Sequence, residues 1–396
     1  MSSVLSRRSF LARSALIGCS AAASPLFTPI SLASAPWDDR LVVIVLRGAM
    51  DGLDVVQPYG DPAYASARGA MAGGPQNGAV DLDGFFAMHP VLEPLAPMWS
   101  AGELGFMHAV STPYRDKRSH FDGQDILEAG TDGLSGGVRE GWLNRLLGEI
   151  KGVEARTAFA IGHGEMKVLE GPQPVADWSP DVDLALSPQA MQLADRIMQD
   201  DPAFHAALAE ALMLANDEEP MMGGNGKGKD KTRAYVQVAE FAAEQLRGDT
   251  RIAAFSINGW DTHGRQEKVI VPALQRLAGT LTTLKEKLGP VWSKTAVVAM
   301  TEFGRTVRIN GTGGTDHGTG GAMLLAGGAV RGGKVYGQWP GLSEEALYQR
   351  RDLMPTDDVR RAAAWILRGM TRVDMPELER VVFPGLDASS DLALLR

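Results

Sequence analysis

Six short apolar runs punctuate the chain, at 41–46, 104–110, 158–162, 251–257, 296–300 and 322–326. Each is four to eight residues or so and is bounded by Gly, Asn, Asp or Arg, a pattern that fits strands buried on both faces better than half-exposed ones. Between them, 3.6-residue periodicity predicts helices over 91–100, 119–129, 142–150, 188–215, 231–247 and 266–288, and a last one opening at Thr356-Asp357-Asp358. The order of elements predicts an α/β fold, a three-layer α/β/α sandwich with a mainly parallel central sheet. Residues 57–90, rich in Pro, Gly and Ala, read as a long surface excursion, and 221–231 as a flexible low-complexity stretch.

A parallel sheet gathers the carboxyl ends of its strands at one edge, where ligands of open α/β folds sit. Four polar clusters fall after strands or beside them. Asp51 follows the first run, although Asp51-Gly52 is equally good turn chemistry. Ser119, with Asp122 three residues later, opens a helix as an N-cap and places a hydroxyl among free backbone N–H groups, an anion site reinforced by Arg115, Lys117 and Arg118. Asp261 and His263 follow the run at 251–257. Glu302 and Arg305 follow the run at 296–300, and Asp316 and His317 precede the next. Seven glycines from Gly304 to Gly321 point to a loop whose backbone can come close to a ligand. His163 and His205 read as structural.

The donor types are carboxylate, imidazole and hydroxyl, which suit Zn, Mn, Mg or Ca and exclude thiolate chemistry. Two ions about 4 Å apart could clamp both oxygens of an ester displacement.

Charge narrows the partners. With 39 Lys and Arg against 48 Asp and Glu, the net charge is −9, and no basic run with interleaved aromatics occurs, so nucleic acid is not expected. Ser6-Arg7-Arg8-Ser9-Phe10-Leu11 and the apolar, Ala-rich segment after it match a twin-arginine export signal. The expected organisation is a signal peptide over 1–35 and a single α/β domain over 36–396 with inserted loops, passed by the twin-arginine translocon to the periplasm or medium. Cleavage falls near Ala33-Ser34-Ala35. Leu16-Ile17-Gly18-Cys19 also resembles a lipoprotein box, ranked below plain cleavage because Arg13 interrupts the apolar segment. Cys19 is the only cysteine, so cleavage after Ala33 leaves no disulfide or thiolate site. No later segment has the length to span a bilayer.

Five motifs stand together: Leu46-Arg47-Gly48-x-x-Asp51-Gly52-Leu53, Arg118-Ser119-His120-Phe121, Gly259-Trp260-Asp261-Thr262-His263, Thr301-Glu302-Phe303-Gly304-Arg305-Thr306 and Gly314-Thr315-Asp316-His317-Gly318. As a set they resemble the bacterial family numbered 1501 among the domains of unknown function, across essentially the whole mature chain. That family looks like a distant branch of the alkaline phosphatase and sulfatase superfamily. The resemblance implies an alkaline phosphatase-like fold, with Asp51 as first metal ligand and Ser119 as nucleophile. It implies Asp261 and His263 as a metal pair of shortened spacing, Glu302 where relatives carry Asp-His, and His317 as the late metal-binding His. Phe303 stands where the His of the Asp-His pair is expected, and Asp316-His317 could be that pair displaced along the chain. The expected activity is a metal-dependent hydrolase or transferase acting on a small phosphate or sulfate ester, with Arg305 stabilising charge on the transferring group. The alternative is a noncatalytic exported binding or assembly protein on the same scaffold.

Overall fold

The computed structural model describes residues 37–115, 118–134, 139–162, 166–179 and 227–396, with side chains from 234 in the last span. The export signal, Cys19, His163, the helix expected at 188–215 with His205, and 221–226 lie outside the described residues. Described residues belong to one compact unit, Ala35–Arg396.

The central sheet has nine strands: β1 (Arg40–Arg47), β2 (Leu104–Ser111), β3 (Ala158–Ile161), β4 (Ala176–Trp178), β5 (Ile252–Asn258), β6 (Thr295–Met300), β7 (Gly321–Ala326), β8 (Val335–Tyr336) and β9 (Asp357–Asp358). Their spatial order is β8-β2-β7-β6-β1-β5-β3-β4, with β9 also pairing β2. β1 pairs in parallel with β5 and β6, Ile44 lying between Phe255 and Ala299. The fold is α/β with a mainly parallel sheet, as the apolar runs predict.

Alternation along β1 shows why those runs carry no polar face. Leu41, Val43 and Val45 join one core, and Val42, Ile44 and Leu46 the other. The first core is closed by α3 (Trp142–Gly148) and α6 (Val359–Thr371). The second is closed by α4 (Lys227–Arg247) and α5 (Val271–Leu288). On α5, Leu274, Leu277, Leu281, Leu284 and Leu288 make the buried stripe, and Gly289 at φ +54° ends the helix. Helix therefore covers both faces, giving three layers.

Three local expectations change. The helix expected over 91–100 begins as a 3₁₀ stretch, Pro90–Leu95, because Pro94 cannot donate in an α-helical ladder. The span 266–288 is two pieces, Gln266–Val269 and α5, with Pro272 at the start of the second. Lys227 to Lys231, read as flexible, already belong to α4.

One strand departs from the parallel order. β7 runs antiparallel to both β6 and β2. Its beginning therefore lies at the edge where the other strands end, and this carries Asp316 and His317 to the same edge as Glu302.

Candidate metal centre

Four chain segments converge at that edge. β2 leads through 112–119 into α2 (His120–Ala129), whose N-cap is Ser119 in extended backbone, its hydroxyl facing the Asp122 N–H at 3.5 Å. β5 leads to Asp261 and His263, β6 to Thr301 and Glu302, and the approach to β7 supplies Asp316 and His317.

His120, Asp261 and His317 each offer a ligand atom, and these atoms all lie within 4.8 Å of one another. Asp261 Oδ1 is 3.5 Å from His120 Nε2 and 3.2 Å from His317 Nε2. A third imidazole joins them, His263 Nε2 being 3.0 Å from Asp261 Oδ1 and 3.0 Å from His317 Nε2. All three rings thus turn Nε2 inward, and each has Nδ1 held from behind. His120 Nδ1 meets Glu302 Oε1 at 2.8 Å, His317 Nδ1 meets the Arg118 carbonyl at 2.8 Å, and His263 Nδ1 meets Asp316 Oδ1 at 3.3 Å. An Nδ1 proton donated to a carboxylate or carbonyl leaves Nε2 with its lone pair free, the arrangement of metal-bound histidines. His120 Nε2 is buried with no hydrogen-bond partner, the Asp261 contact lacking hydrogen-bond geometry. Two imidazoles and one carboxylate, those of His120, Asp261 and His317, fit Zn²⁺ or Mn²⁺ in donor type, and His263 stands beside them.

The electrostatics follow. Burial opposes charge on His120, but the Asp261 and Glu302 carboxylates raise its pKa to about 9, so without a cation Nε2 is protonated near neutral pH and a cation binding there displaces that proton. Burial would raise Asp261, yet His120, His317 and Arg305 together hold it far below the usual carboxylate range. The centre is open on one side, where the side chains of Asp261 and His263 keep 39% and 47% of their exposure.

Several expected residues take other places. Glu302 is fully buried and saturated: Oε1 accepts from Gly48 N–H at 2.9 Å and Gln124 Nε2 at 3.2 Å besides facing His120, and Thr301 Oγ1 is 2.8 Å from Oε2. It orients a donor and does not itself face the cluster. Asp51 has both oxygens gripped by Arg68, at 2.6 and 2.7 Å, and it N-caps α1 (Gly52–Val55) through the Leu53 N–H. With both partners 1% exposed this is a buried ion pair, and Asp51 stands away from the three clustered donors. Arg305, equally buried, donates to the carbonyls of Ala49, Thr315, Gly48 and Trp260 and to Asp261 Oδ1 at 2.6 Å. A guanidinium so enclosed clamps three loops around Asp261. Asp316 supports His263.

The glycines also serve packing between backbones. A Cβ on Gly304 would lie 1.9 Å from the Gly320 carbonyl oxygen, and one on Gly314 would lie 2.3 Å from the His263 carbonyl carbon. A Cβ on Gly48, at φ +117°, would lie 2.6 Å from the Asp261 backbone nitrogen. Phe303 stacks on His120 at 5.2 Å between ring centroids and lies 5.1 Å from His317, filling space beside the two imidazoles.

Comparison with known proteins agrees with the motifs. Residues 38–360 match the family described as Protein of unknown function (DUF1501). The chain belongs to that family. No curated protein matches the sequence. Solved structures similar to this DUF1501 chain include a lipoteichoic acid synthase from Listeria monocytogenes, at 9% identity and TM-score 0.34, covering 70% of this chain and 59% of that one. A protein in the alkaline phosphatase superfamily from Vibrio parahaemolyticus has 11% identity and TM-score 0.32, covering 76% of this chain and 65% of that one. This chain thus spans less than two thirds of the length of either. A 2-O GAG sulfatase has 10% identity and TM-score 0.37, covering 89% and 72%.

His120 is the donor that sequence reasoning passed over. It sits inside the quoted motif Arg118-Ser119-His120-Phe121, but the N-cap serine beside it took the functional reading. The available signal was its place, at the first turn of a helix following a strand end, in a chain with only 7 histidines.

Proposed function

We propose that this DUF1501 protein is an exported metal-dependent hydrolase or transferase that acts on a phosphate or sulfate ester. The observation that carries the reading is the convergence of His120, Asp261 and His317, with His263 beside them, immediately next to a serine at a helix N-terminus. The resemblance of the motifs to the alkaline phosphatase and sulfatase superfamily supports it, as does the twin-arginine motif for export. Among the described residues no helix is long and apolar enough to cross a membrane.

His120, Asp261 and His317 would hold the ion, with His263 beside them, and the ion when bound supplies Lewis acidity to an ester oxygen and favours an ionised serine hydroxyl. Ser119 would be the nucleophile, its Oγ lying at the positive end of α2. The free N–H groups of the first turn would receive an anionic ester oxygen. Arg305 keeps Asp261 ionised and in place. Glu302 and the Arg118 carbonyl fix the tautomers of His120 and His317, so that Nε2 of each faces the ion.

A noncatalytic binding protein is the second reading, and it rests on Arg305, whose guanidinium is spent on backbone carbonyls and so offers nothing to a transferring group. Purified protein separates the two. The enzyme contains a tightly held divalent ion and turns over an aryl phosphate or aryl sulfate, and Ser119→Ala loses that turnover while retaining the ion. Metal-free protein without turnover, or turnover unchanged in Ser119→Ala, refutes the hydrolase.

A further inference from the structure

Beneath the donors lies a buried polar strut that the chemistry above does not use. Gln266, fully buried, makes four hydrogen bonds with its side-chain amide. Its oxygen accepts from Thr262 Oγ1 at 2.8 Å and Thr315 Oγ1 at 2.7 Å, and its nitrogen donates to Asp51 Oδ2 at 2.6 Å and Asp54 Oδ2 at 2.8 Å. Thr262 sits between Asp261 and His263, and Thr315 is two residues before His317. One amide therefore ties the two loops that carry Asp261 and His317, two of the three clustered donors, together with His263, and hangs both on the Asp51–Arg68 pair. The loops also bond directly, Thr315 N–H to the Thr262 carbonyl at 3.1 Å.

Stability alone does not ask for this. Buried ion pairs and amides are commonly matched or bettered by apolar side chains of the same volume, whereas a fully satisfied polar network fixes geometry. We propose that Gln266 is a positioning residue of the metal centre, setting the spacing of Asp261 and His263 against His317, with Asp51 and Arg68 as its anchor. The inference rests on the metal reading above, and it replaces direct ligation by Asp51 with action through Gln266.

The test uses the full chain in metal-free form, with Mn²⁺ or Zn²⁺ alone as probe. Thr262→Val and Thr315→Val each cut one arm, and Gln266→Glu keeps the shape while setting a third carboxylate against Asp51 and Asp54. Equilibrium dialysis should show cation affinity lower by about 10-fold or more in each, the range expected for supporting residues of a metal site. Thr315→Ser should restore it. The double Thr variant should lose less than the sum of the two single losses. Amide exchange read on the metal-free protein should rise over 261–266 when only Thr315 is changed. Affinity within twofold of the unaltered protein, with a lowered melting temperature, means a purely structural amide and overturns the proposal. If the unaltered protein binds no cation, the metal reading fails separately. The exchange measurement then decides the tie between the loops, and unchanged exchange over 261–266 overturns it.

Discussion

Replacing Glu302 by Gln separates an orienting carboxylate from a ligand. Gln keeps the volume and one oxygen, which can still accept from Gly48 N–H and His120 Nδ1, now 2.9 and 2.8 Å away. The new amide nitrogen would face Thr301 Oγ1, whose hydroxyl can donate to the Leu46 carbonyl 2.8 Å away and accept in return. What disappears is the charge behind His120. Hydrogen bonds to charged groups contribute about 1.5–3 kcal/mol and neutral ones about 0.5–1.5, so the bond loses roughly 1–2 kcal/mol. At about 1.4 kcal/mol per tenfold, cation affinity should fall roughly 5- to 30-fold. The assay is competition between the protein and a metal indicator across free Mn²⁺ or Zn²⁺ at several pH values up to about 9, which separates the lost hydrogen bond from the eased proton competition at His120, with a melt of the metal-free variant as control. Unchanged affinity would refute the orienting role. Complete loss of binding in a folded variant would show Glu302 to be a ligand after all.

Other outcomes follow from particular residues. His120→Ala should abolish cation binding yet leave a folded protein, seen by dialysis and circular dichroism, because His120 is part of the edge and not of either core. Arg68→Met should be among the most destabilising single changes, by about 3–5 kcal/mol in denaturant titration, because it leaves the Asp51 charge buried and alone. Gly304→Ala should cost at least about 1–3 kcal/mol, since its methyl would occupy the space of the Gly320 carbonyl. Asp54, raised to about 6 by burial and then by Asp51, takes up a proton more readily folded than unfolded. Its ionisation therefore subtracts stability as pH rises from about 4 through 6, on the order of 3 kcal/mol when fully ionised. Asp54→Asn should raise the melting temperature at pH 8 and change it little at pH 4; an equal gain at both would contradict the assignment.

The sheet was legible because strands such as β1 and β6, buried on both faces, write themselves as unbroken apolar runs. The direction of β7 was not, since Ala322 to Ala326 reads the same either way, and its reversal is what joins His317 to Asp261. The strand-end rule brought Asp261, His263 and His317 to one place. It could not sort donors from their supports, because Glu302, Asp51 and Asp261 are all carboxylates after strands. What sorts them is the partner each meets through tertiary folding: a guanidinium from residue 68, a glutamine from 124, an imidazole from 120. Phe303, read as the loss of a ligand, gains a packing role only once His120 is placed against it.

Anomalous diffraction from crystals grown with Mn²⁺ or Zn²⁺ tests the central claim most directly. The account predicts one strong peak bound by His120 Nε2, Asp261 and His317 Nε2, with Glu302 and Asp51 outside the coordination sphere. A peak seated on Asp51 or Glu302, or no peak from protein that retains its fold, would contradict it.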